Sequence, residues 1–154
     1  MKELYIYGIL KLERLVDVLA LVREVFSEYE APDYSDEGIQ EFMRFIEPEA
    51  ITEMLKESKL NMWMCEDNGK VIGTLAAKPN HICLLFVHGE YHRQGIARHL
   101  LNIFIEQTKP EEITVNSSPY AVEAYRRLGF DDTDAEKTVN GIRFTAMKRV
   151  EVRL

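Results

Sequence analysis

Leu84-Leu85-Phe86-Val87-His88-Gly89-Glu90-Tyr91-His92-Arg93-Gln94-Gly95-Ile96-Ala97-Arg98-His99-Leu100-Leu101 begins as an apolar, strand-like run and breaks into a polar turn that holds Gly95 and the small Ala97. It then resumes at helical spacing through Ile96, Leu100, Leu101 and Phe104. A loop entering a helix aims several unpaired backbone N–H groups at one point, and the helix macrodipole adds roughly half a positive charge there. Phosphate can sit there. Gly95 permits backbone angles closed to other residues, and Gly95 with Ala97 keeps side chains away from a close ligand. Arg93 and Arg98 can add charge-assisted contacts. The same residues also suit an ordinary strand-to-helix connection whose glycine only makes the turn. The chain holds neither G-x-x-x-x-G-K-S/T nor G-x-G-x-x-G, so P-loop and Rossmann readings lose their main support.

A second segment, Ile113-Thr114-Val115-Asn116-Ser117-Ser118-Pro119-Tyr120-Ala121-Val122-Glu123-Ala124-Tyr125-Arg126-Arg127-Leu128-Gly129-Phe130, reads as strand, turn, short helix and stop. Ser118 suits an N-cap, Pro119 the first helical position and Gly129 the position after the C-cap.

These two segments, in this order, resemble the GNAT N-acetyltransferase superfamily. Its acetyl-CoA pyrophosphate motif, commonly written Q/R-x-x-G-x-G/A after a strand and a Pro-Glu-Tyr-like turn, is matched by His92-Arg93-Gln94-Gly95-Ile96-Ala97. His92 stands where Arg or Gln is usual, and Gly89 where proline is common. The family's next motif, Asn at a strand end followed by A-x-x-x-Y-x-x-x-G-F, is matched by Asn116, Ala121, Tyr125, Gly129 and Phe130. The resemblance in organisation covers about the whole chain, with residues 1–60 matching only in pattern.

Length and composition agree with a small enzyme. The 154 residues suit one domain, 1–154, large enough to bury a sizeable core. Charged residues make up 29% and hydrophobic ones 46%, with no apolar run near bilayer length and no secretory signal pattern at Met1-Lys2-Glu3-Leu4-Tyr5. Cys65 and Cys83 sit in apolar strand-like runs without CxxC spacing, which points to buried, unbridged thiols in a cytoplasmic chain. A net charge of −7 argues against nucleic acid as partner and is compatible with a cationic amine.

Along the chain, residues 2–8 alternate as a first strand, and Leu15, Val18, Leu19, Val22, Val25 and Phe26 recur at helical spacing. Glu30-Ala31-Pro32-Asp33-Tyr34-Ser35 interrupts that helix, and residues 38–46 and 49–55 read as two short helices expected to lid the site. Strands at 62–66 and 70–77 flank Asn68-Gly69, a strand covers 81–87, and strands at 136–139 and 142–150 flank Asn140-Gly141. The resemblance implies the order β, α, α, β, β, β, α, β, α, β, β. It also implies a mixed α/β (α+β) fold whose central, mostly antiparallel sheet is flanked by helices. That sheet is expected to splay between the strands at 81–87 and 112–116 and so leave a slot for the pantetheine arm.

The resemblance further implies direct acetyl transfer from acetyl-CoA, the acyl-donor substrate, to a primary amine of a small molecule or a protein. No metal is implied, and a homodimer is compatible with it. A protonated amine of pKa about 10 cannot attack, so the site needs a base or a water chain. N–H groups near Phe86 and Val87 are expected to polarise the thioester carbonyl. Phe86, Val87, His92, Arg93, Gln94, Gly95, Ile96, Ala97, Arg98 and Asn116 are the expected cofactor-binding residues, although Asn116 also suits a turn that satisfies its own backbone. Tyr125 holds the position from which the family often presents a hydroxyl to the leaving sulfur. A phenol of pKa about 10 facing a thiol of about 8.5 makes complete proton transfer uphill by about 2 kcal/mol, so Tyr125 is expected as a hydrogen-bond donor. Its stripe with Ala121 and Leu128 also suits a core residue.

His81 is the candidate base on the motif strand, with an ordinary pKa of about 6.5. Glu28, Glu30 and Tyr34 are the others, and a water relay stays open because no glutamate lies at 81–87. His88, His92 and His99 lack a Cys or carboxylate partner at ligand spacing, so no metal is expected. A catalytically idle acyl-CoA-binding sensor would keep the same cradle. The acceptor's identity is not encoded in these motifs.

Overall fold

Two Asn-Gly pairs decide where the chain doubles back. Asn68 and Gly69 (φ 49° and 83°) and Asn140 and Gly141 (φ 52° and 80°) all take the left-handed angles that a tight hairpin turn requires. They join β2 (Asn61–Asp67) to β3 (Lys70–Lys78), and β7 (Lys137–Val139) to β8 (Ile142–Val150). The other strands are β1 (Ile6–Ile9), β4 (His81–Val87), β5 (Glu112–Ser117) and β6 (Asp131–Asp132). The helices are α1 (Leu15–Val25), α2 (Asp36–Phe45), α3 (Pro48–Lys56), α4 (Ile96–Thr108) and α5 (Val122–Arg127). This computed structural model describes residues 5–151, so the 2–4 portion of the expected first strand lies outside the described residues.

Three helices separate β1 from β2, as the periodicity along the chain expects and one more than the order the resemblance implies, and Pro48 starts the third at its first position. The short β6, which pairs Asp131 with Lys148 and Asp132 with Met147, carries two aspartates and no strand pattern to announce it.

The strands form one mixed sheet in the order β1-β2-β3-β4-β5-β8-β6, with β7 also on β8. Every pairing is antiparallel except β4 with β5. That parallel pairing is confined to His81↔Thr114 and Ile82↔Val115, after which the strands part. A bulge marks the parting point. Ala77 pairs with Ile82 and Ala76 with Leu84, leaving Cys83 as the extra residue. A bulge bends and twists its strand, and the inserted residue shifts the side-chain alternation by one. Cys83, Leu84 and Phe86 accordingly meet the core under α1, whereas Ile82, Leu85 and Val87 meet the one under α4 and α5.

Each core is built on an amphipathic helix. α1 buries Leu15, Val18, Leu19 and Val22 against one face, joined there by Phe26 stacked on Phe42 at 3.9 Å between centroids. On the other face α4 buries Ile96, Leu100, Leu101 and Phe104. Each such fully buried side chain contributes about 1.5–3 kcal/mol. α4 sits very close to the sheet, because a Cβ on Gly73 would lie 3.1 Å from Ile96 Cγ2 and 3.3 Å from Leu100 Cδ1. Its N-terminus is thereby aimed at the end of β4.

α1 continues into a π-helical turn over Phe26–Glu30 and a 3-10 turn over Ala31–Asp33 before the Ser35 hydroxyl caps α2 by accepting from the Gly38 N–H at 3.2 Å. Cys65 and Cys83 are free thiols. No helix among the described residues is long and apolar enough to cross a membrane.

Candidate active site

Where β4 and β5 part, a cleft of about 700 Å³ opens. Leu85, Phe86 and Val87 of β4 form one wall, and Ala121, Ala124, Tyr125 and Leu128 the opposite one. His92, Arg93, Gly95, Ile96, Ala97 and Arg98 line its mouth, and Val25, Tyr29 and Glu30 reach in from the end of α1.

At the mouth, Arg93 (φ 64°) and Gly95 (φ 81°) both take left-handed angles on either side of Gln94. Successive turns of this kind gather N–H groups into a concave, anion-attracting nest. Among the described residues, no acceptor engages the N–H groups of residues 93–98; the first helical bond runs from the His99 N–H to the Gly95 carbonyl at 3.0 Å. A Cβ at position 95 would meet nothing within 4 Å, so the nest faces open space.

The loop is held from outside the cleft. The Tyr91 hydroxyl donates to Asp67 Oδ2 at 2.7 Å and the Tyr5 hydroxyl to Gln94 Oε1 at 2.6 Å. His92 Nε2 donates to the Val87 carbonyl at 2.7 Å. Arg98 reaches across the mouth to the Arg127 carbonyl at 2.9 Å.

Sheet register settles which β4 amides face the cleft. The His88 N–H donates to the Ile72 carbonyl at 2.8 Å, so alternate residues back along β4, Phe86 and Leu84, also turn their N–H groups toward β3. Leu85 and Val87 turn theirs toward the cleft. The expectation of N–H groups near Phe86 and Val87 therefore narrows to Val87 and gains Leu85, while Phe86 contributes its place in the wall.

Tyr125 and Glu30 both line the cleft. Tyr125 is buried, with its ring edge-on to Phe130 at 5.4 Å, and no hydrogen bond within the described residues occupies its hydroxyl. Burial, then the nearby Glu30 and Cys83, pushes its pKa above the ordinary phenol range. Burial likewise raises the Glu30 carboxyl from 4.5 to about 7, with the Ser118 hydroxyl bond pulling the other way and Asp33 adding to the rise. A carboxyl half-ionised near neutrality is matched to proton transfer.

His81, Gln94 and Asn116 lie outside the cleft lining. His81 sits at the closed end, where β4 and β5 still pair, with Nδ1 2.8 Å from Thr114 Oγ1, and burial lowers its pKa. Asn116 is the outward residue between buried Val115 and Ser117, and its backbone pairs with Ala146 of β8. Gln94 turns outward to Tyr5. The three histidines considered for metal point to separate partners: His88 Nδ1 accepts from the Glu90 N–H, His92 bonds Val87, and His99 stacks on Tyr7. Among the described residues no group of three His, Cys, Asp or Glu converges as a metal site.

Tyr29 and Tyr120, absent from the sequence-derived candidates, also line the cleft, their rings tilted by 34° with centroids 5.1 Å apart. An aromatic at the end of an apolar helix reads as core, so local pattern did not single them out.

Comparison with known proteins adds an independent line. Residues 30–151 match a family model described as an acetyltransferase (GNAT) domain. The chain is 30% identical over 82 residues to the uncharacterized N-acetyltransferase YafP of Escherichia coli (strain K12), covering 53% of this chain and 53% of that protein. It is 34% identical over 83 residues to the UPF0157 protein YqkA of Bacillus subtilis (strain 168), covering 49% and 24%. The chain thus spans about half or less of the length of these curated relatives. Among solved structures, a GCN5-related N-acetyltransferase from Rhodopseudomonas palustris superposes with TM-score 0.81 at 19% identity, over 98% of this chain and 99% of that one. The PaiA N-acetyltransferase from Thermoplasma acidophilum, in complex with coenzyme A, superposes with TM-score 0.77 at 18% identity, over 96% and 99%. At these identities the two superpositions establish the shared fold.

Proposed function

Because the chain belongs to the GNAT acetyltransferase family, we propose that it transfers an acetyl group from acetyl-CoA to a primary amine by direct attack. The observation that carries this reading is the set of unengaged N–H groups at residues 93–98, on a loop that lines the same cleft as Tyr125 and Glu30. A diphosphate held by those amides would leave its pantetheine arm the length of the fork to follow, with the thioester at the inner end.

There the Leu85 and Val87 N–H groups face the path of the carbonyl oxygen, where donors fixed in advance stabilise developing negative charge. Glu30 takes the proton from the attacking ammonium, because a base of pKa near neutrality is ionised often enough to accept it and basic enough to hold it. The freed amine lone pair forms the C–N bond; as the tetrahedral intermediate collapses, the C–S bond breaks with its electron pair going to sulfur, and the remaining excess proton on nitrogen passes to solvent water. Tyr125 donates a hydrogen bond to that thiolate. Its raised pKa makes full proton transfer to a thiolate still more uphill than for an ordinary phenol, so it shields charge and is not the acid.

Acetyl-CoA binding by calorimetry, followed by free-thiol release across a panel of polyamines, amino acids, aminoglycosides and peptide amino termini, tests this reading. Binding with release for at least one amine supports it. Tight binding without release for any acceptor would instead support an idle acyl-CoA sensor, and absence of binding would remove both.

A further inference from the structure

Tyr29 and Glu30 are consecutive residues of the π-helical turn that ends α1, yet their side chains serve different parts of the cleft. Glu30 lines the cleft together with Tyr125 and takes a hydrogen bond from the Ser118 hydroxyl. Tyr29 runs back to the phosphate loop, where its ring meets His92 at 5.1 Å and Tyr120 at 5.1 Å. Its hydroxyl lies over Gly89, so close that a Cβ built there would be 2.5 Å from Tyr29 Oη but 3.4 Å from Cζ and 3.5 Å from Cε2. The hydroxyl fits only because residue 89 has no side chain. His92 in turn bonds the Val87 carbonyl, so the Tyr29 seat is continuous with the cleft-facing backbone of β4.

π-helical turns inside helices recur at functional sites because the extra residue per turn re-aims neighbouring side chains. Here the turn brings two consecutive side chains into one cleft, Tyr29 onto His92 and Tyr120 and Glu30 onto Ser118.

We propose that Tyr29 is a positioning residue that seats the end of α1 on the phosphate loop through Gly89 and His92, so that filling the loop with acetyl-CoA fixes Glu30 against Tyr125. This rests on the function proposed above. Cofactor and base are then set in one event: a diphosphate that stiffens residues 89–93 stiffens the Tyr29 seat, and with it the adjacent carboxylate.

The close contact supplies a size-exchange test. Gly89→Ala places a methyl where the Tyr29 hydroxyl sits and displaces that side chain; Tyr29→Phe in the same chain removes the obstructing oxygen and leaves ordinary contact distances. Acetyl-CoA affinity is measured by titration calorimetry for wild type, both single variants and the double variant, with a thermal melt to verify folding. The change in bound protons on acetyl-CoA binding at pH 7 is read from the difference in heat between phosphate and Tris buffers. The share carried by Glu30 is the part lost in Glu30→Gln, which separates it from Glu28, Asp33, Tyr34, Tyr120 and Tyr125, the titratable groups around it.

Gly89→Ala is expected to weaken binding about tenfold and abolish the Glu30-borne proton change, and the double variant to return both to within about twofold of Tyr29→Phe. A double variant as impaired as Gly89→Ala, or Gly89→Ala with a Glu30-borne proton change like wild type, would overturn the role of Tyr29 while leaving acetyl-CoA binding by the wild type intact. Wild-type protein that binds no acetyl-CoA would overturn this role together with the proposed function.

Discussion

Replacing Glu30 with Gln separates what the cleft does from what it imposes on the fold. Raising a carboxyl from 4.5 to about 7 by burial penalises its ionised form in the native state by about 3 kcal/mol, at about 1.4 kcal/mol per pH unit. The sign follows from proton counts. Between those two pH values the folded protein keeps a proton that the unfolded chain has lost, so stability falls as pH rises and the full penalty is present above pH 7. Below pH 4.5 both states are protonated and the penalty vanishes.

Gln copies the neutral carboxyl and does not titrate. Glu30→Gln is therefore expected to melt higher than wild type at pH 8, by on the order of 5–10 °C for a chain of this size, and at nearly the same temperature at pH 4.5. Activity should move the opposite way. Loss of a general base lowers kcat by about 10²- to 10⁴-fold, and the rise of kcat/KM with pH through neutrality should disappear. Differential scanning calorimetry across pH, paired with thiol-release rates for a responsive amine, reads both effects. Equal melting temperatures at pH 8 would refute the buried, uncompensated carboxyl, and an unchanged rate would remove Glu30 from proton transfer.

Tyr125→Phe should lower kcat about tenfold or more while the acetyl-CoA dissociation constant stays within about twofold, because the hydroxyl meets charge only as sulfur leaves; an unchanged kcat removes it from the mechanism. Gly95→Val forces a β-branched residue into a left-handed conformation at a strain of about 1–2 kcal/mol, or lets the loop relax and lose its converging amides. Calorimetry should show acetyl-CoA affinity down at least about tenfold, and unaltered affinity counts against the phosphate loop. Gly38→Ala would set a methyl 2.2 Å from the Gly141 carbonyl oxygen, where the β7–β8 turn rests on the start of α2. That overpacking should lower stability by about 1–3 kcal/mol, and a denaturant titration that finds no loss would contradict the contact.

The turn that enters α4 is legible in the sequence because its requirements are local: Gly95 for a left-handed angle, small Ala97, and an apolar helix after them. The two Asn-Gly hairpins were readable for the same reason. Gly89 and His92, the departures from the family pattern, made no sense along the chain; in space both face Tyr29, a partner about sixty residues away by numbering. Glu30 stood among several candidates because the burial that raises its pKa is assembled by α1, the Ser118 turn and the cleft wall together. His81 carries the right ordinary pKa on the right strand, but the short parallel pairing with β5 covers its end of that strand. Strand alternation at 81–87 hid the bulge, since one inserted residue leaves composition untouched.

The parting of β4 from β5 also bears on how the chain reaches its native state. Strands β2, β3 and β4 pair with their sequence neighbours and close short loops, whereas β5 joins them through a helical crossover and only two residue pairs. Local pairings form quickly and distant ones late, so docking of the C-terminal strands onto the meander is expected as the final step. A molecule bridging the gap would press on that last step, slowing its reversal in proportion to occupancy.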